Sequence, residues 1–433
     1  MEEKYISDEA LYAIYIQYPN VTIDSRSCKK DDFFIALTGE NFDGNIYAQK
    51  ALDQGCSYAL IDNPDYYIDK RTLLVKHCLL TMQRLARKHR DALGLPVLAI
   101  TGTNGKTTTK ELITKVLRKK YKTLSTLGNF NNNIGVPLTL LRLRKDDQLA
   151  IIEMGASHPG DITELVQITN PDYGLITNVG QAHLEGFGSF EGVLQTKSEL
   201  YDYLRNKKAM IFLHTNNPYL CKKAKGLKNL TYGTSHATIE GCLITANPYV
   251  SFTWHSPSQE ALNQVKTHLI GHYNLDNLLA TIAVGYHFGV PATLINEAIT
   301  QYKPKNNRSQ LEKTSQNTLI IDTYNANPTS MEAALTNFAT LTANPKALIL
   351  GDMRELGKES LLLHSKVIET IKRMDLDRIL LCGDQFGQVG KDFETYATTK
   401  QLCEALKKTP LKGYHILVKG SHGMHLEETL PFL

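Results

Sequence analysis

The segment AITGTNGKTTTKELI, residues 99–113, contains a glycine-rich turn between an apolar run and a helical pattern. The apolar run, VLAIT at 97–101, predicts a buried strand, and a helix is expected to begin near Lys106. In the common phosphate-binding pattern G-x-x-x-x-G-K-[ST] the two glycines are further apart than Gly102 and Gly105 are here. Because strand, turn and helix follow in the required order, the segment still predicts a phosphate-binding loop, tighter than that of GTPases or kinases.

Each part of this loop has an expected role toward a nucleotide. Backbone N–H groups of the turn and of the helix N-terminus are expected to hold the β and γ phosphates. Lys106 would bridge these phosphates as a point charge, and Thr107 would ligate Mg²⁺. The alternative is a lysine that merely follows a glycine turn. The predicted nucleotide-binding residues of the loop are Gly102, Thr103, Asn104, Gly105, Lys106, Thr107 and Thr108.

Apolar runs alternate with helix-length segments along the whole chain and predict an α/β fold. Runs bounded by Gly, Asn and Asp are typical of buried parallel strands. The segment 208–270 has a weaker, alternating pattern, which predicts a small antiparallel sheet in the middle domain. Polar breaks divide the chain into domains at 1–95, 96–303 and 304–433. The strand-like runs lie at 58–62, 97–101, 149–155, 173–180, 318–324, 346–352, 378–384 and 414–420.

Composition narrows the class of protein. A length of 433 residues predicts two or three domains, and the net charge of +4 with no basic block argues against a nucleic-acid partner. The chain starts with an acidic segment and has no apolar run long enough to span a bilayer, so a cytoplasmic protein is expected. Its seven cysteines form no C-x-x-C pair, which argues against a disulfide framework or a zinc site.

Three further residues are candidates for a metal site. Glu153 ends the apolar run LAIIEMG, where open α/β sheets place their ligands, so its carboxylate is expected to hold Mg²⁺. His183 lies in the glycine-rich NVGQAHLEG segment, and Lys197 lies on a predicted helix. Taken alone, each has an ordinary alternative: a surface glutamate, a structural histidine and a solvated lysine.

The order of the motifs along the chain resembles the Mur ligases, ATP-dependent amide-forming enzymes of peptidoglycan precursor synthesis. Two C-terminal segments, DTYNANPTSMEAAL from Asp322 and LGDMRELG from Leu350, resemble the branch that adds D-alanyl-D-alanine. The D-N-P-R signature expected of the branch that adds the third amino acid is absent. The likeness runs from residue 24 to residue 424, and its motifs are TGTNGKTT, NFNNNIGVP, EMG, NVGQAHLE, the K-x-E-L helix and GHYNLDNLLAT.

This resemblance implies an α/β protein of three domains. An N-terminal domain would hold the UDP end of the substrate, a central P-loop domain would bind ATP, and a C-terminal Rossmann-like domain would close over the site. The implied reaction joins D-alanyl-D-alanine to UDP-N-acetylmuramoyl-tripeptide through an acyl phosphate, with ATP and two Mg²⁺ ions. A monomer is expected. The alternatives are another Mur-type or folylpolyglutamate synthetase-like ligase, and a P-loop GTPase switch, which would need an N-K-x-D motif that is absent.

The resemblance also implies roles for single residues. Lys106 and Thr107 would bind phosphate and Mg²⁺, Glu153 and His183 would hold metal, and Lys197 would be carbamylated by CO₂. Arg308, in the linker before the last domain, would reach the γ-phosphate. The implied nucleotide contacts are Asn274, Asn277, Asp322, Tyr324 and Asn325, and the implied substrate contacts are Ser25, Arg26, Asp43, Gly44, Asn129, Asn133 and Asp352.

Asparagine caps and ordinary turns are the alternative for several of these residues. The chain also departs from the family pattern at three positions. His422 stands where an arginine is usual, Ile321 replaces one acid of a pair before the Y-N-A-N turn, and Asn307 precedes Arg308 where a glycine is usual. These departures concern substrate detail, because none removes a group expected to act in catalysis.

Overall fold

The computed structural model describes residues 5–257 and 262–433. Among these residues, the N-terminal part forms a four-stranded parallel sheet in the order β1-β2-β5-β6, beside a short hairpin of β3 and β4. The elements are β1 (Val21–Thr22), β2 (Phe33–Ile35), β3 (Thr38–Gly39), β4 (Phe42–Asp43), β5 (Tyr58–Ile61), β6 (Thr72–Leu74), α1 (Asp8–Gln17), α2 (Ala48–Asp53) and α3 (Cys78–Leu93).

Local signals explain where two of these helices begin and end. The side chain of Ser7 accepts a hydrogen bond from the backbone of Ala10 and caps α1, whose first turn carries two acids that suit the helix dipole. Helix α3 ends at Leu93 and is followed by Gly94, whose φ of 64° is the left-handed conformation that commonly terminates a helix.

The central part of the described chain forms a nine-stranded mixed sheet in the order β15-β14-β13-β12-β11-β10-β7-β9-β8. Its strands are β7 (Val97–Thr101), β8 (Thr123–Ser125), β9 (Leu149–Glu153), β10 (Tyr173–Ile176), β11 (Met210–His214), β12 (Lys228–Gly233), β13 (Ile239–Thr245), β14 (Tyr249–His255) and β15 (Asn263–Ile270). Its helices are α4 (Lys106–Leu117), α5 (Gly135–Leu140), α6 (Asp161–Thr169), α7 (Leu184–Phe187), α8 (Phe190–Asn206), α9 (Pro218–Lys223), α10 (Asn274–His287) and α11 (Ala292–Thr300).

The expected small antiparallel sheet is present as an extension of this sheet rather than as a separate one. Strands β13, β14 and β15 pair antiparallel, as the alternating pattern predicted. However, β13 also pairs in parallel with β12 at Tyr232 and Gly233, which joins the antiparallel strands to the parallel ones. One continuous sheet therefore carries both.

The C-terminal part forms a six-stranded sheet in the order β16-β17-β21-β18-β19-β20, in which β16 alone of the described strands runs antiparallel to its neighbour. Its elements are β16 (Gln310–Lys313), β17 (Thr318–Asp322), β18 (Lys346–Gly351), β19 (Arg378–Cys382), β20 (Glu394–Tyr396), β21 (His415–Lys419), α12 (Pro328–Thr340), α13 (Ser360–Ile371), α14 (Asp384–Val389) and α15 (Thr399–Lys408).

The predicted α/β class is confirmed, and each of the eight strand-like runs contains a strand. The strands that the sequence did not indicate include several of only two or three residues, such as β1, β6 and β8, which are too short to show a period. Within residues 5–257 and 262–433, no helix combines the length and apolarity needed to cross a membrane.

Helices of the N-terminal part share a core with the central sheet. Leu11 of α1 and Met82 of α3 belong to the same buried cluster as Leu140 of α5 and Leu165 of α6. Arg90 of α3, 5% exposed, reinforces this contact. Its guanidinium donates to the Thr169 carbonyl at 3.1 Å and to the Asp172 carboxylate at 2.5 Å.

Replacing Arg90 by Met should loosen this contact and lower the free energy of unfolding by about 1–3 kcal/mol, because hydrogen bonds to a charged group are lost in a buried place. The matched control is Arg84→Met on the same helix, whose exposed ion pair with Asp8 of α1 stays within the N-terminal part and should contribute about 0–1 kcal/mol. Urea unfolding of both variants measures the difference. Equal losses would mean that Arg90 does not hold the two parts together.

Candidate functional site

A cavity of about 880 Å³ lies at the carboxyl ends of β7, β9 and β10 and extends to the C-terminal sheet. Parallel strands that end at one edge bring their following loops together there, which is where open α/β sheets bind ligands. The sequence-predicted residues that line it are Thr103, Asn104, Gly105, Lys106, Thr108, Asn129, Asn133, Glu153, His183, Asn274, Asn277, Arg308, Asp322, Tyr324 and Asn325.

The loop after β7 is fastened to the end of β10. The backbone N–H of Thr103 donates to the Asn178 carbonyl at 3.0 Å, and that of Asn104 donates to the Asn178 side-chain oxygen at 2.9 Å. The Thr177 hydroxyl donates to the Asn104 carbonyl at 2.7 Å. Sequence reasoning gave Asn178 no role, although it follows a predicted strand in a glycine-rich segment.

At both glycine positions of the loop, the backbone conformation and the close neighbours leave no room for a larger side chain. Gly102 has a φ of 143°, and a Cβ there would lie 2.0 Å from the Thr177 hydroxyl. Gly105 has a φ of 78°, and a Cβ there would lie 2.5 Å from the Asn277 side-chain oxygen. The close spacing of the two glycines therefore produces a loop that is packed against both β10 and α10.

The amine of Lys106 lies over the loop and faces the cavity. Its Nζ donates to the carbonyls of Gly102 at 2.7 Å and Thr103 at 3.0 Å. Burial lowers the pKa of Lys106 to about 8, although the nearby Glu153 carboxylate acts in the opposite direction and the Arg308 guanidinium in the same one. An anionic phosphate would favour the charged form of this amine.

Glu153 lies at the end of β9 and is 1% exposed. Its Oε1 accepts hydrogen bonds from the Thr107 hydroxyl at 3.1 Å and from the Asn131 amide at 3.0 Å. Its Oε2 is buried and has no hydrogen-bond donor among the described residues. The Glu153 carboxylate and the adjacent Thr107 hydroxyl provide the kind of oxygen ligands that Mg²⁺ prefers, so these two residues fit this ion.

Asn131 was missed, although it lies between Asn129 and Asn133 in the NFNNNIGVP motif. It lines the cavity with both of them, and its side chain also lies against Gly155. The motif indicated this segment, but the contact of Asn131 with Glu153 is visible only in the fold.

The other two predicted metal residues have different partners. His183 has a φ of 51°, and its Nδ1 contacts the Glu355 carboxylate of the C-terminal part. Lys197 is 2% exposed, donates from Nζ to the Ala156 carbonyl at 3.2 Å and lies 5.3 Å from the centroid of the Phe187 ring. Among the described residues, no three His, Cys, Asp or Glu side chains are grouped as they would be around a metal ion.

Burial lowers the pKa of Lys197 well below its usual range, and the positive charge of Lys106 adds to this effect. The structure thus brings Thr107 and Glu153 together, while His183 and Lys197 both lie beside the Phe187 ring.

Asn274 and Asn277 support the loop from α10. The Asn277 amide donates to the Asn274 side-chain oxygen at 2.8 Å, and its own oxygen accepts from the Thr109 hydroxyl at 3.1 Å. The Asn274 amide donates to the Ile270 carbonyl at 2.8 Å. Both asparagines line the cavity, but much of their hydrogen-bonding capacity is used to fasten α10 to α4 and to the end of β15.

Aromatic and cationic side chains form the C-terminal wall. The Arg308 guanidinium lies 3.7 Å from the centroid of the Tyr324 ring, and the His422 ring stacks on Tyr324 at 5.6 Å with an interplanar angle of 22°. The Arg308 Nε is buried without a hydrogen-bond partner in the part of the chain that the structure describes. Asn307 has a φ of 54°, a left-handed conformation that asparagine adopts more readily than most residues, which explains why it can replace a glycine.

The single acid before the Y-N-A-N turn is held by a buried lysine. Lys419, 1% exposed, forms an ion pair with Asp322 and also donates to the Asn325 carbonyl at 3.3 Å. Asp322 in addition accepts from the backbone N–H of Ser309 at 3.2 Å. Sequence reasoning did not select Lys419, although it stands in the VKGSHGM motif.

Two groups of predicted substrate residues lie outside the cavity lining. The N-terminal group, Ser25, Arg26, Asp43 and Gly44, forms a separate turn region, in which Arg26 pairs with Asp24 and Asp43 accepts from the backbone N–H of Asn45 at 2.9 Å.

Asp352 lies outside the cavity lining as well, and its carboxylate is bonded to backbone groups of the C-terminal part. Its carboxylate accepts from the backbone N–H groups of Gln385 and Phe386, both at 2.9 Å, and so satisfies the start of α14.

Direct contacts join the central loop to the C-terminal part. The Asn327 amide donates to the Asn104 side-chain oxygen at 2.8 Å, and the backbone N–H of Gln181 donates to the Thr329 hydroxyl at 3.0 Å. Groups from both parts therefore face one cavity.

Comparisons with known proteins place this geometry in a family. Three family models match consecutive stretches: the Mur ligase family catalytic domain at 17–90, the Mur ligase middle domain at 100–285 and the Mur ligase glutamate ligase domain at 307–422. The chain is 34% identical to the UDP-N-acetylmuramoyl-tripeptide–D-alanyl-D-alanine ligase of Bacillus subtilis, over 95% of this chain and 92% of that protein.

Solved structures of Mur ligases share the fold of this chain. MurF from Acinetobacter baumannii superimposes with a TM-score of 0.86 at 29% identity, covering 95% of this chain and 92% of that one. MurF from Thermotoga maritima, solved in complex with ADP, shares the fold with a TM-score of 0.84 at 24% identity, covering 96% and 97% of the two chains.

A Gly102→Ala substitution tests the packing of the loop. It should weaken ATP binding at least about tenfold, because the backbone conformation is costly for alanine and the added Cβ meets the Thr177 hydroxyl. Gly188→Ala is the control, since Gly188 also has a positive φ, of 74°, but has no atom within 4 Å of an added Cβ. Titration calorimetry with ATP measures both. A similar effect of both changes would contradict the packing argument.

Proposed function

The chain belongs to the Mur ligase family, and we propose that it joins D-alanyl-D-alanine to UDP-N-acetylmuramoyl-tripeptide in an ATP-dependent reaction of peptidoglycan precursor synthesis. One observation carries the proposal beyond the likeness of the sequences. The phosphate loop with Glu153 and the C-terminal pair of Arg308 and Tyr324 face a single cavity from two sides. Such a site can hold ATP and an anionic acceptor at the same time.

The first proposed step is the transfer of the γ-phosphoryl group of ATP. The terminal carboxylate of the tripeptide attacks the γ-phosphorus, the bond to the β-γ bridging oxygen breaks, and an acyl phosphate and ADP form. The N–H groups of the loop, together with Lys106 and Arg308, would offset the negative charges of the tripeptide carboxylate and the ATP phosphates. Mg²⁺ held by Thr107 and Glu153 would supply further positive charge beside the phosphates.

In the second proposed step the free amine of D-alanyl-D-alanine attacks the acyl carbonyl. A tetrahedral intermediate forms, phosphate leaves with the bonding electrons, and the nitrogen loses a proton as the amide forms. No protein nucleophile is required, so positioning of the two substrates provides much of the rate enhancement. Asn274, Asn277, Asp322, Tyr324 and Asn325 are proposed on the nucleotide side, with Asn129 and Asn133 on the acceptor side.

Closure of the C-terminal part protects the reactive intermediate. The contacts of Asn104 with Asn327 and of Gln181 with Thr329 bring that part over the loop. An acyl phosphate is hydrolysed by water, and a closed cavity limits its access.

The remaining assignments concern organisation. We propose domains at 1–95, 96–303 and 304–433, with boundaries between α3 and β7 and between α11 and β16. The first domain would hold the UDP end through Ser25, Arg26, Asp43 and Gly44. A cytoplasmic monomer is the proposed state.

Phosphate release from ATP tests the proposed reaction. Purified protein given UDP-N-acetylmuramoyl-tripeptide should release phosphate when D-alanyl-D-alanine is added and stay near background with single amino acids. Lys106→Ala should lower the rate at least about 100-fold, because it removes a charge beside the transferred group. Release with a single amino acid and not with the dipeptide would reject the proposed acceptor and leave only the ATP-dependent ligase.

Carbamylation of Lys197 is a second, separate proposal. Its buried amine, in the neutral form, would attack CO₂, forming a nitrogen–carbon bond and releasing one proton, so that a carbamate anion replaces the neutral amine. The Lys197→Arg variant cannot form this carbamate, so its reaction rate should fall at least about 100-fold. Lys222→Arg, on the surface of α9, is the control and should react at the wild-type rate. Removal of CO₂ should lower the wild-type rate and bicarbonate should restore it. An active Lys197→Arg variant would rule out the carbamate.

A further inference from the structure

Lys110 is a buried lysine for which the reaction described above has no role. It lies on α4, four residues after Lys106, and is 3% exposed. Lysine is almost never buried unless an opposite charge accompanies it. Its Nζ lies 3.7 Å from the Oε2 of Glu153, which is itself 1% exposed. Two opposite charges thus face each other inside the protein.

Lys110 lies behind the cavity wall rather than in it. Glu153 lines the cavity, as does Lys106, whereas Lys110 does not. Residues four apart on a helix lie on one side, so Lys110 stands one turn deeper than Lys106. The carboxylate therefore has the cavity on one side and the Lys110 ammonium group on another.

The hydrogen bonds of Glu153 are unevenly distributed. Its Oε1 accepts from Thr107 and from Asn131, both of which are uncharged donors. Its Oε2 has no hydrogen-bond donor within the described ranges and has only the longer ion-pair contact with Lys110. A buried carboxylate without an opposite charge is strongly destabilising, and two neutral donors offset only part of that cost.

We infer that Lys110 is a positioning residue, an internal cation that holds the Glu153 carboxylate in its place beside the phosphate loop before any metal binds. Thr107 and Asn131 fix one oxygen, and Lys110 balances the charge at the other. Since α4 starts in the phosphate loop, this ion pair also fixes the loop helix against β9. The inference deepens the proposed function, because it rests on Glu153 as a metal ligand.

Metal and Lys110 would then have overlapping effects on one carboxylate. In the wild type, Lys110 already balances part of the Glu153 charge, so added Mg²⁺ has less to stabilise. Without Lys110, the amine of Lys106 is the remaining nearby cation of the chain, so a bound ion has more of the Glu153 charge to stabilise. A side chain that only filled space would have no such link to Mg²⁺.

A double-mutant cycle of Lys110→Met and Glu153→Gln tests the inference by thermal unfolding without ATP or substrates. In EDTA, each single change should lower the melting temperature by at least about 5 °C, because each leaves a buried charge unpaired. The melting temperature of the double variant should lie above that of either single variant, by at least half of the loss that the single change causes. Lys115→Met, on the exposed side of the same helix, is the control and should change little.

The second measurement repeats these melts with Mg²⁺. The ion should raise the melting temperature of Lys110→Met more than that of the wild type, and it should have no such effect on the double variant. Lys110→Arg, which keeps the charge, should respond as the wild type does.

Additive losses in the cycle, together with an unchanged response to Mg²⁺, would overturn the inference and leave Lys110 a packing residue. If Lys110→Met does not fold, the comparison of Glu153→Gln with the double variant still decides, because the inference requires the double variant to be the more stable one. The acceptor specificity of the enzyme does not enter these measurements, so this inference and the proposed reaction can fail separately.

Discussion

The hydrogen bonds between Asn178 and the phosphate loop determine the geometry of the whole site. Asn178 accepts from the backbone of Thr103 with its carbonyl and from the backbone of Asn104 with its side chain. These contacts fix the loop at the end of β10, and the loop in turn fixes where α4 begins. Lys106 and Thr107 occupy the first turn of that helix, so their direction toward the cavity follows from two backbone amides.

Asn104 connects this loop to the C-terminal sheet as well. Its backbone is held by Asn178, while its side chain exchanges hydrogen bonds with Asn327, the residue that caps α12. A change in the loop can therefore be transmitted to the helix that follows the Y-N-A-N turn. This explains physically why binding of a nucleotide at the loop and closure of the last domain would be coupled.

Charge is balanced in pairs around the cavity. Glu153 faces Lys110, and Asp322 faces Lys419, in each case with a lysine that is 3% exposed or less. Among the described residues, Lys106 and Arg308 line the cavity without an acidic partner: Lys106 donates to carbonyl groups, and Arg308 stacks on Tyr324. The internal pairs hold the acidic side chains in place, and the available cations suit the phosphates of a nucleotide.

The sequence by itself determined the α/β class, eight of the parallel strands, the phosphate loop and the family, because these depend on short-range patterns and on motif order. It also predicted Glu153 and Arg308 as site residues, and both line the cavity. Only the tertiary structure selected Asn131 and Lys110 as neighbours of Glu153, and only it showed that the Asp352 carboxylate caps α14. These contacts join residues that are far apart in the chain. They depend on distances and burial in the folded protein, which no local sequence pattern indicates.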